Sequence, residues 1–580
     1  MSENAESTTT NRNAGILIPV FSIRKDSDLG IGDVAGLRSL INWAAETGVE
    51  FLQLLPINET GTDNSPYNAI SSVALEPLTL DCSPNGLPEL TQEVYEDVLG
   101  KYDIRHLRIG PVKYEQVRIL KLDLLWRAFS VFESEHFQRG TSQDDAFHLF
   151  CDLEAKWLGD YCLYRLLMDM EEGQQSWPEW NSNYDSIAKA RDFVDKLLDV
   201  EPVKTERQLV YYAYIQWIAF TQWRGVSAYA KDNGVRLMGD IPFGVSLNSA
   251  DVFANPEIFD LNWYGGAPPE TLFKDDEFVQ KWGQNWGIPL YRWDVLKERD
   301  YDWWRQRVGK TVDIFSMFRV DHALGFYRIY SFPWNPVRNS EFLPLSEDEA
   351  AERCDGKRPC FKPRSDDNHD DAMANKEQGK VYLKMLQEAA GEAEVIAEDL
   401  GMVPDYVRPS LAYLNIAGMK VPQWEHSDGG VTPGSDYPHV SFAAYATHDH
   451  APLKAQWNEQ RQLLANAEFE SHEWWEAHGV LKSLSQFAGI EFDAAHVPEY
   501  SDEIRESLLR ALFESSSRDV AVMISDLLGF EERINVPGIM DGVNWAWRLD
   551  MTVDELRKNP HWAYLNRRMK KMLQESGRAS

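Results

Sequence analysis

The sequence predicts a (β/α)₈ barrel, in which eight parallel strands close into a ring with helices outside and long insertions between strands. Short apolar runs alternate with stretches of helical periodicity along most of the 580 residues. Several of these runs end in a carboxylate, and the carboxyl ends of barrel strands are where such a fold carries its chemistry. Hydrophobic residues make up 43% of the chain, which suffices for one large core.

Eight apolar runs have the length and composition of buried strands. Between the first two, Asp33 is placed to cap a helix with apolar residues at helical spacing, so these two strands are parallel. The clearest run, Met317 to Gly325, ends in an Arg, an Asp and a His within four residues. The predicted strands are 15–21, 51–56, 235–243, 317–325, 395–401, 417–424, 440–450 and 520–526.

The predicted domain organisation is one barrel domain over residues 14–580, after a disordered tail at 1–13. Residues 85–232 have helical periodicity without strand patterns, which predicts a helical insertion after the second strand. Residues 244–295 are rich in Asn, Gly, Pro and Trp and predict a long loop insertion. Residues 344–379, with acidic residues concentrated at 365–371, predict a solvated, mobile surface loop.

Composition restricts the partners and the compartment. Lys and Arg number 58 against 92 Asp and Glu, a net charge of −34, so the surface repels nucleic acid and anionic membranes. The sequence contains no run of eighteen apolar residues, so no membrane span is predicted. The N-terminal residues lack a secretory signal pattern. The five cysteines contain no Cys-x-x-Cys pair, which favours a reducing compartment, the cytoplasm.

Aromatic residues are abundant, with 21 Trp and 23 Tyr. One explanation is a large Trp-rich core. The other is a set of aromatic platforms that stack on the apolar faces of sugar rings, since Trp and Tyr combine an apolar ring with a polar end. The second explanation agrees with an uncharged ligand.

Three predicted strands end in a carboxylate, at Asp321, Glu398 and Asp449. Cleaving a glycosidic bond with retention requires a carboxylate nucleophile and a carboxylic acid about 5–5.5 Å apart. The acid needs a raised pKa, which burial and a neighbouring carboxylate provide. Arg319 lies two residues from Asp321 along one strand, hence on the same face, and is expected to keep that carboxylate ionised.

Metal-dependent hydrolysis is the alternative to this carboxylate mechanism, because Asp, Glu and His are also metal ligands. On a continuous strand, however, His448 and His450 would share a face and Asp449 would point away from both. The sequence also lacks a zinc-type His or Cys pair, a phosphate-binding Gly-x-x-x-x-Gly-Lys loop and a Gly-x-Gly-x-x-Gly motif. We therefore expect neither a metal nor a cofactor.

Nine short motifs, in this order, make the chain similar to the 4-α-glucanotransferases, also called amylomaltases, which are relatives of the α-amylases. The similarity extends from about residue 15 to residue 572. The motifs are Ser65-Pro66-Tyr67, Asp240-Ile241-Pro242, Gly283-Gln284-Asn285-Trp286-Gly287, Pro289-Leu290-Tyr291-Arg292-Trp293, Phe318-Arg319-Val320-Asp321-His322, Ala397-Glu398-Asp399-Leu400-Gly401, Thr447-His448-Asp449, Asn535-Val536-Pro537-Gly538 and Asn544-Trp545-Ala546-Trp547-Arg548.

The resemblance implies a role for each carboxylate. Asp321 would be the nucleophile, Glu398 the general acid and base, and Asp449 the carboxylate that holds ring hydroxyls as the oxocarbenium-like state forms. The substrate-binding residues implied in the same way are Ser65, Tyr67, Asp240, Gln284, Trp286, Arg319, His322, Trp424, Asp428, His448 and Asn535. The sequence departs from the family after Asp449, where His450-Ala451-Pro452 follows.

The activity implied is retaining transfer of α-1,4-glucan segments from a donor, a maltooligosaccharide, starch or glycogen chain, to the 4-hydroxyl of an acceptor glucan or glucose. The expected partners are these glucans, for a monomer or small homo-oligomer. A plain α-glucan hydrolase with the same residues is the first alternative. A glucan-binding protein without catalysis is the second, and the presence of all three carboxylates speaks against it.

Overall fold

The computed structural model describes residues 12–270, 276–538 and 542–579. Its strands, in chain order, are β1 Asn13–Leu17, β2 Phe51–Gln53, β3 Arg236–Ile241, β4 Phe259–Ala267, β5 Gln284–Tyr291, β6 Met317–Val320, β7 Ile329–Phe332, β8 Cys360–Lys362, β9 Glu394–Ala397, β10 Ala417–Lys420, β11 His426–Ser427, β12 Gly430–Val431, β13 Ser441–Ala443 and β14 Asp519–Met523.

A closed parallel barrel is the centre of the fold, and it confirms the predicted fold class. Its strands follow each other around the ring in the order β1, β14, β13, β10, β9, β6, β3, β2. Each of the eight predicted runs overlaps one of these strands. The strands end earlier than the runs do, because the last residues of each run leave the ladder and form the loops above the barrel.

The barrel interior is packed rather than hollow. Buried side chains from several strands, among them Phe51, Met238, Met317 and Phe442, form one cluster inside it. Gly15 of β1 is required by this packing, since a Cβ atom there would lie 2.1 Å from the ring of Phe51. Strands buried on both faces explain why the sequence shows continuous apolar runs instead of alternation.

Helices surround the barrel and fill most of the insertions. Asp33 caps the first of them as predicted, accepting a hydrogen bond from the Gly36 amide. Helices α2 to α8 occupy the long insertion between β2 and β3. The helices are α1 Val34–Thr47, α2 Gln92–Leu99, α3 Ile104–Leu107, α4 Tyr114–Glu135, α5 Ser142–Leu153, α6 Leu158–Met170, α7 Ile187–Val200, α8 Pro202–Asp232, α9 Ala250–Ala254, α10 Glu277–Trp282, α11 Trp293–Glu298, α12 Asp302–Val312, α13 Asn339–Phe342, α14 Glu347–Arg353, α15 His369–Ala390, α16 Val407–Leu414, α17 Leu453–Asn466, α18 His472–Phe487, α19 Asp502–Glu514, α20 Ile524–Leu528, α21 Val553–Lys558 and α22 Pro560–Glu575.

The segment 244–295 is not the loop that its composition predicts. It contributes β4 and β5 to a second, antiparallel sheet with the order β5, β4, β7, β8. Its pairing is irregular, with register shifts between Asp260 and Tyr264 and between Gly265 and Gly266. Bulges of this kind interrupt the period of two, and the strands are only partly buried, so the sequence shows neither an apolar run nor a clean alternation.

The acidic segment 344–379 is likewise ordered, contrary to the predicted mobile loop. It forms α14, β8 and the start of α15. Asp370 and Asp371 lie in the first turn of α15, and Asn368 caps that helix through the Asp371 amide. Acidic residues at a helix N-terminus interact favourably with the helix dipole, so the charge cluster marks a helix start.

The predicted disordered tail lies largely outside the described residues, and its last position, Asn13, is already the first residue of β1. Every helix in the described part of the chain is too short or too polar to cross a membrane. All five cysteines are described, and each is a free thiol.

Arg578 closes the amino-terminal face of the barrel. Its side chain is 1% exposed and donates to five backbone carbonyls, at 2.6 Å to Phe513, 2.9 Å to Asn13, 3.1 Å to Arg518, and 2.8 Å each to Ser515 and Ser517. Asn13 begins β1 and Arg518 precedes β14. The guanidinium therefore joins the two strands at which the barrel closes.

We expect Arg578→Ala to lower the free energy of unfolding by at least about 3 kcal/mol, because several buried carbonyls lose a charged donor together. Urea unfolding followed by circular dichroism measures the change. Lys571→Ala, an exposed position on the preceding helix, is the control and should shift the midpoint little. An equal effect of the two substitutions would contradict the role of Arg578 in joining β1 and β14.

Candidate active site

A cavity of about 1320 Å³ opens above the carboxyl ends of the barrel strands. Asp321 follows β6, Glu398 follows β9 and Asp449 lies in the turn after β13, and all three line the cavity. The fold thus brings together carboxylates that are separated by 128 residues along the chain. Parallel strands make this convergence possible, since all their carboxyl ends meet at one face.

Arg319 connects two of the acidic groups on the barrel floor. Its guanidinium donates to Asp240 Oδ2 at 2.7 Å and to Asp321 Oδ1 at 2.8 Å. Burial raises the pKa of Asp321, and the Arg319 charge opposes that increase. Tyr67 completes the cluster by donating its hydroxyl to Asp240 Oδ2 at 2.6 Å. Asp321 is therefore held in one orientation, with its negative charge compensated.

Glu398 is held next to Asp321 by the backbone. The His322 amide, which directly follows Asp321, donates to Glu398 Oε2 at 2.7 Å. Burial, and then the negative charge of Asp321, raise the pKa of Glu398 to about 8. Glu398 is consequently protonated at neutral pH, whereas the Arg319 charge favours the ionised form of Asp321.

Glu398 and the adjacent Asp399 face different surroundings. Asp399 accepts from the Met419 amide of β10 at 2.6 Å and from Arg408 Nε at 3.3 Å. Burial raises its pKa to about 6. Asp399 is thus engaged in joining β9 to β10, whereas Glu398 is the member of the pair placed beside Asp321.

Asp449 has surroundings that favour its ionised form. Burial disfavours the charge, but His448 and the Asn535 amide outweigh it and hold the pKa below the usual value. Asn535 Nδ2 donates to Asp449 Oδ1 at 2.6 Å, and Arg533 donates to the Asp449 carbonyl at 2.6 Å. The surroundings of Asp449 therefore favour a carboxylate, whereas those of Glu398 favour a neutral acid.

Aromatic rings enclose the cavity around these groups. Tyr67 stacks on His448 with ring centroids 4.6 Å apart, and Trp286 meets His322 edge to face at 4.8 Å. Burial lowers the pKa of both histidines to about 4, so both are neutral hydrogen-bonding groups at pH 7. Trp424, 47% exposed, stands at the rim. The surroundings suit a neutral ligand with apolar faces and hydroxyl groups.

Among the residues singled out in the sequence, Asp428 alone is placed apart from this cavity. It is exposed in the turn of the hairpin β11 to β12 and is not part of the lining. The remaining lining positions from that set are Ser65, Tyr67, Gln284, Trp286, Arg319, His322, Trp424, His448 and Asn535, while Asp240 lies directly beneath them.

The strand geometry expected for residues 448–450 is wrong. The strand β13 ends at Ala443, and His448 Nε2 lies 3.2 Å from Asp449 Oδ1 in the turn beyond it. His450 Nδ1 instead approaches the Thr447 hydroxyl at 3.0 Å. Within the described ranges, no three His, Cys, Asp or Glu side chains are arranged to hold a metal ion.

Two residues of the site are not among those predicted from the sequence. Arg533 holds the Asp449 backbone from a distant turn, and Trp545 packs 5.6 Å from the His448 ring. Trp545 belongs to one of the family motifs, which is the signal that could have identified it. Arg533 lies two positions before Asn535 in a polar stretch, and nothing local distinguishes it.

The chain is similar to known proteins over most of its length. A model of the 4-alpha-glucanotransferase family matches residues 18–552. A 4-alpha-glucanotransferase of Chlamydia caviae is 28% identical over 557 residues, which cover 93% of this chain and 91% of that protein. The Thermus thermophilus 4-alpha-glucanotransferase is 29% identical over 518 residues, covering 88% and 90%.

Two solved structures have the same fold. Amylomaltase from Streptococcus agalactiae in complex with acarbose aligns with a TM-score of 0.74 and 22% identity, over 98% of this chain and all of that one. Amylomaltase from Corynebacterium glutamicum gives a TM-score of 0.75 and 19% identity, over 97% of this chain and 75% of that one.

The pKa of Glu398 is directly measurable. Infrared titration of protein labelled with ¹³C-carboxyl glutamate should show a protonated carboxyl that ionises near pH 8. The band should be absent from Glu398→Gln. The pH at which Glu398 ionises should be lower in Asp321→Asn, because the repulsion that favours the protonated form is then removed. An unchanged ionisation pH in Asp321→Asn would contradict the electrostatic coupling between Glu398 and Asp321.

Proposed function

The chain belongs to the 4-alpha-glucanotransferase family, and on that premise we propose that Asp321, Glu398 and Asp449 transfer α-1,4-glucan segments by a double displacement. The observation that carries the proposal is the unequal state of two adjacent carboxyl groups. Asp321 is paired with the Arg319 guanidinium, which favours its ionised form, while Glu398 accepts a hydrogen bond from the His322 amide and has a pKa of about 8. One nucleophile and one acid, side by side, are what a retaining mechanism requires.

In the first step Asp321 attacks the anomeric carbon of the donor glucan. Glu398 gives its proton to the glycosidic oxygen, so the departing chain leaves as an alcohol and a covalent glycosyl ester forms on Asp321. Asp449, fixed by Asn535 and His448, accepts hydrogen bonds from ring hydroxyls. These bonds strengthen as positive charge develops on the ring, which stabilises the transition state.

In the second step Glu398, now ionised, removes the proton from the 4-hydroxyl of an acceptor glucan. That oxygen attacks the anomeric carbon, and the bond to Asp321 breaks. A new α-1,4 linkage results, and Glu398 is protonated again. The loss of the proton from Glu398 in the first step is what prepares it as the base for the second.

Transfer exceeds hydrolysis when an acceptor is positioned better than water. The stacked Tyr67 and His448, the edge contact of Trp286 with His322, and Trp424 at the rim provide apolar surfaces for sugar rings. They also replace water around the ester. We therefore favour transfer over amylase-type hydrolysis, which would use the same carboxylates.

The natural substrates proposed are maltooligosaccharides and starch or glycogen fragments. The net charge of −34 supports a neutral partner over nucleic acid. The five unpaired thiols support a reducing compartment, for which we propose the cytoplasm.

Incubation of the pure protein with maltotriose alone tests the proposed reaction. Transfer should produce glucose and a series of longer oligomers while the total of reducing ends stays constant, because each bond cleaved is replaced by another. Chromatography of the products with a reducing-end assay measures both. Reducing ends that rise without elongation would identify a hydrolase and refute the transfer.

The roles of Asp321 and Glu398 are separable with a donor that needs no acid. In α-maltosyl fluoride the leaving fluoride departs without protonation, so Glu398→Gln should still form the ester and then stall for lack of a base. Intact-mass spectrometry should show one added maltosyl group, and peptide mapping should locate it on Asp321.

Asp321→Asn should show no added mass with the same fluoride and should lose transfer from maltotriose. The asparagine keeps the size of the side chain, so circular dichroism should confirm that the variant is folded. Labelling at another residue, or appreciable transfer by Asp321→Asn, would overturn the assignment of the nucleophile.

A further inference from the structure

A second aromatic pair lines the cavity away from the carboxylates. Tyr330 of β7 and Phe361 of β8 are direct partners across the antiparallel sheet, with ring centroids 5.3 Å apart. Both are half-buried, and both belong to the wall of the same cavity as Asp321 and Glu398. The double displacement described above does not use either ring.

The sheet order gives the separation of this pair from β5, which carries two other residues of the cavity lining. Gln284 and Trp286 lie on β5, and β8 is the third strand beyond it in the order β5, β4, β7, β8. At the usual strand spacing, Phe361 is about 14 Å across the sheet from β5. That separation exceeds the width of one sugar ring, so Phe361 is within reach of a longer chain that also occupies the centre.

Arg328 supports Phe361. Its guanidinium carbon lies 3.8 Å from the centroid of the Phe361 ring, which is cation–π contact over one face. Arg328 Nε in turn lies 2.8 Å from Asp366 Oδ2. Asp366 also accepts from the Tyr406 hydroxyl at 3.1 Å and from Asn375 Nδ2 at 2.9 Å. The acidic segment 365–371 thus fixes a wall of the active cavity.

The charges around the pair favour a neutral ligand. Asp366 compensates Arg328, so the guanidinium presents no free positive charge to an anion. The ring of Phe361 offers apolar surface, and the Tyr330 hydroxyl adds a hydrogen-bonding group beside it. An aromatic surface with a polar neighbour is complementary to a sugar ring, whose faces are apolar and whose edge carries hydroxyl groups.

We propose that Phe361 and Tyr330 form a distal binding position for a glucan chain, with Asp366 and Arg328 as the residues that position Phe361. This inference rests on the proposed function and extends it to substrate length. A donor or acceptor long enough to reach Phe361 gains the additional contact, whereas a short one does not. The cavity would therefore favour long α-1,4-glucans over maltotriose.

The test compares donors of different length in Phe361→Ala. The ratio of kcat/KM for maltoheptaose to that for maltotriose should fall about three- to tenfold relative to the unsubstituted protein, the size expected for the loss of one aromatic stacking contact. Tyr413→Ala, which removes a 77% exposed ring outside the cavity lining, should leave the ratio unchanged.

Three further variants separate binding from folding. Phe361→Trp retains a stacking surface and should restore most of the ratio, while Phe361→Leu retains apolar bulk without an aromatic face and should not. Asp366→Asn should lower the ratio by less than Phe361→Ala, because it removes the charge that holds Arg328 but not the ring.

An unchanged ratio in Phe361→Ala, whether both donors lose activity equally or neither does, would overturn the proposal. Failure of the proposed function is distinguishable, because the unsubstituted protein would then not elongate maltotriose at all. Calorimetric binding of maltoheptaose and maltotriose to Glu398→Gln, with and without Phe361→Ala, gives a second readout that does not depend on turnover. The same loss of preference for the longer sugar is expected there.

Discussion

The site depends on the buried guanidinium of Arg319. It lies between Asp240 and Asp321 and donates to both. Two carboxylates at the end of a packed barrel would be costly to bury without a cation, and removing one partner of such a cluster typically costs about 3–5 kcal/mol. Arg319 therefore both permits the charges to exist on the barrel floor and determines which oxygen of Asp321 is free to react.

The same burial produces the difference between the two reacting carboxyl groups. Burial and the negative charge of Asp321 raise the pKa of Glu398 to about 8, against the opposing charge of Arg319. Asp321 is paired with Arg319, whose charge opposes the increase in pKa that burial causes there. Burial also keeps His322 and His448 neutral, with pKa values of about 4. The acid, the nucleophile and the neutral donors are thus assigned by surroundings rather than by residue type.

The insertions supply the walls that the barrel lacks. The antiparallel sheet carries Gln284 and Trp286 at one edge and Phe361 at the other, and Asp366 stabilises the second edge through Arg328. A barrel with only short loops has an open upper face. The wide, partly aromatic cavity in this protein depends on segments whose composition predicts loops, and their order comes from contacts distant in sequence.

The sequence by itself determined the barrel, since buried parallel strands require continuous apolar runs, and it determined the carboxylates, since Asp321, Glu398 and Asp449 each follow such a run. The family resemblance selected Glu398 over Asp399, and only the tertiary structure gives the physical reason, since Asp399 is bonded to the Met419 amide and to Arg408. The tertiary structure also decided that Asp428 lies outside the cavity and that the acidic segment 365–371 is ordered. These outcomes depend on the direction of individual side chains and on pairing between distant segments, and neither leaves a periodic pattern in the chain.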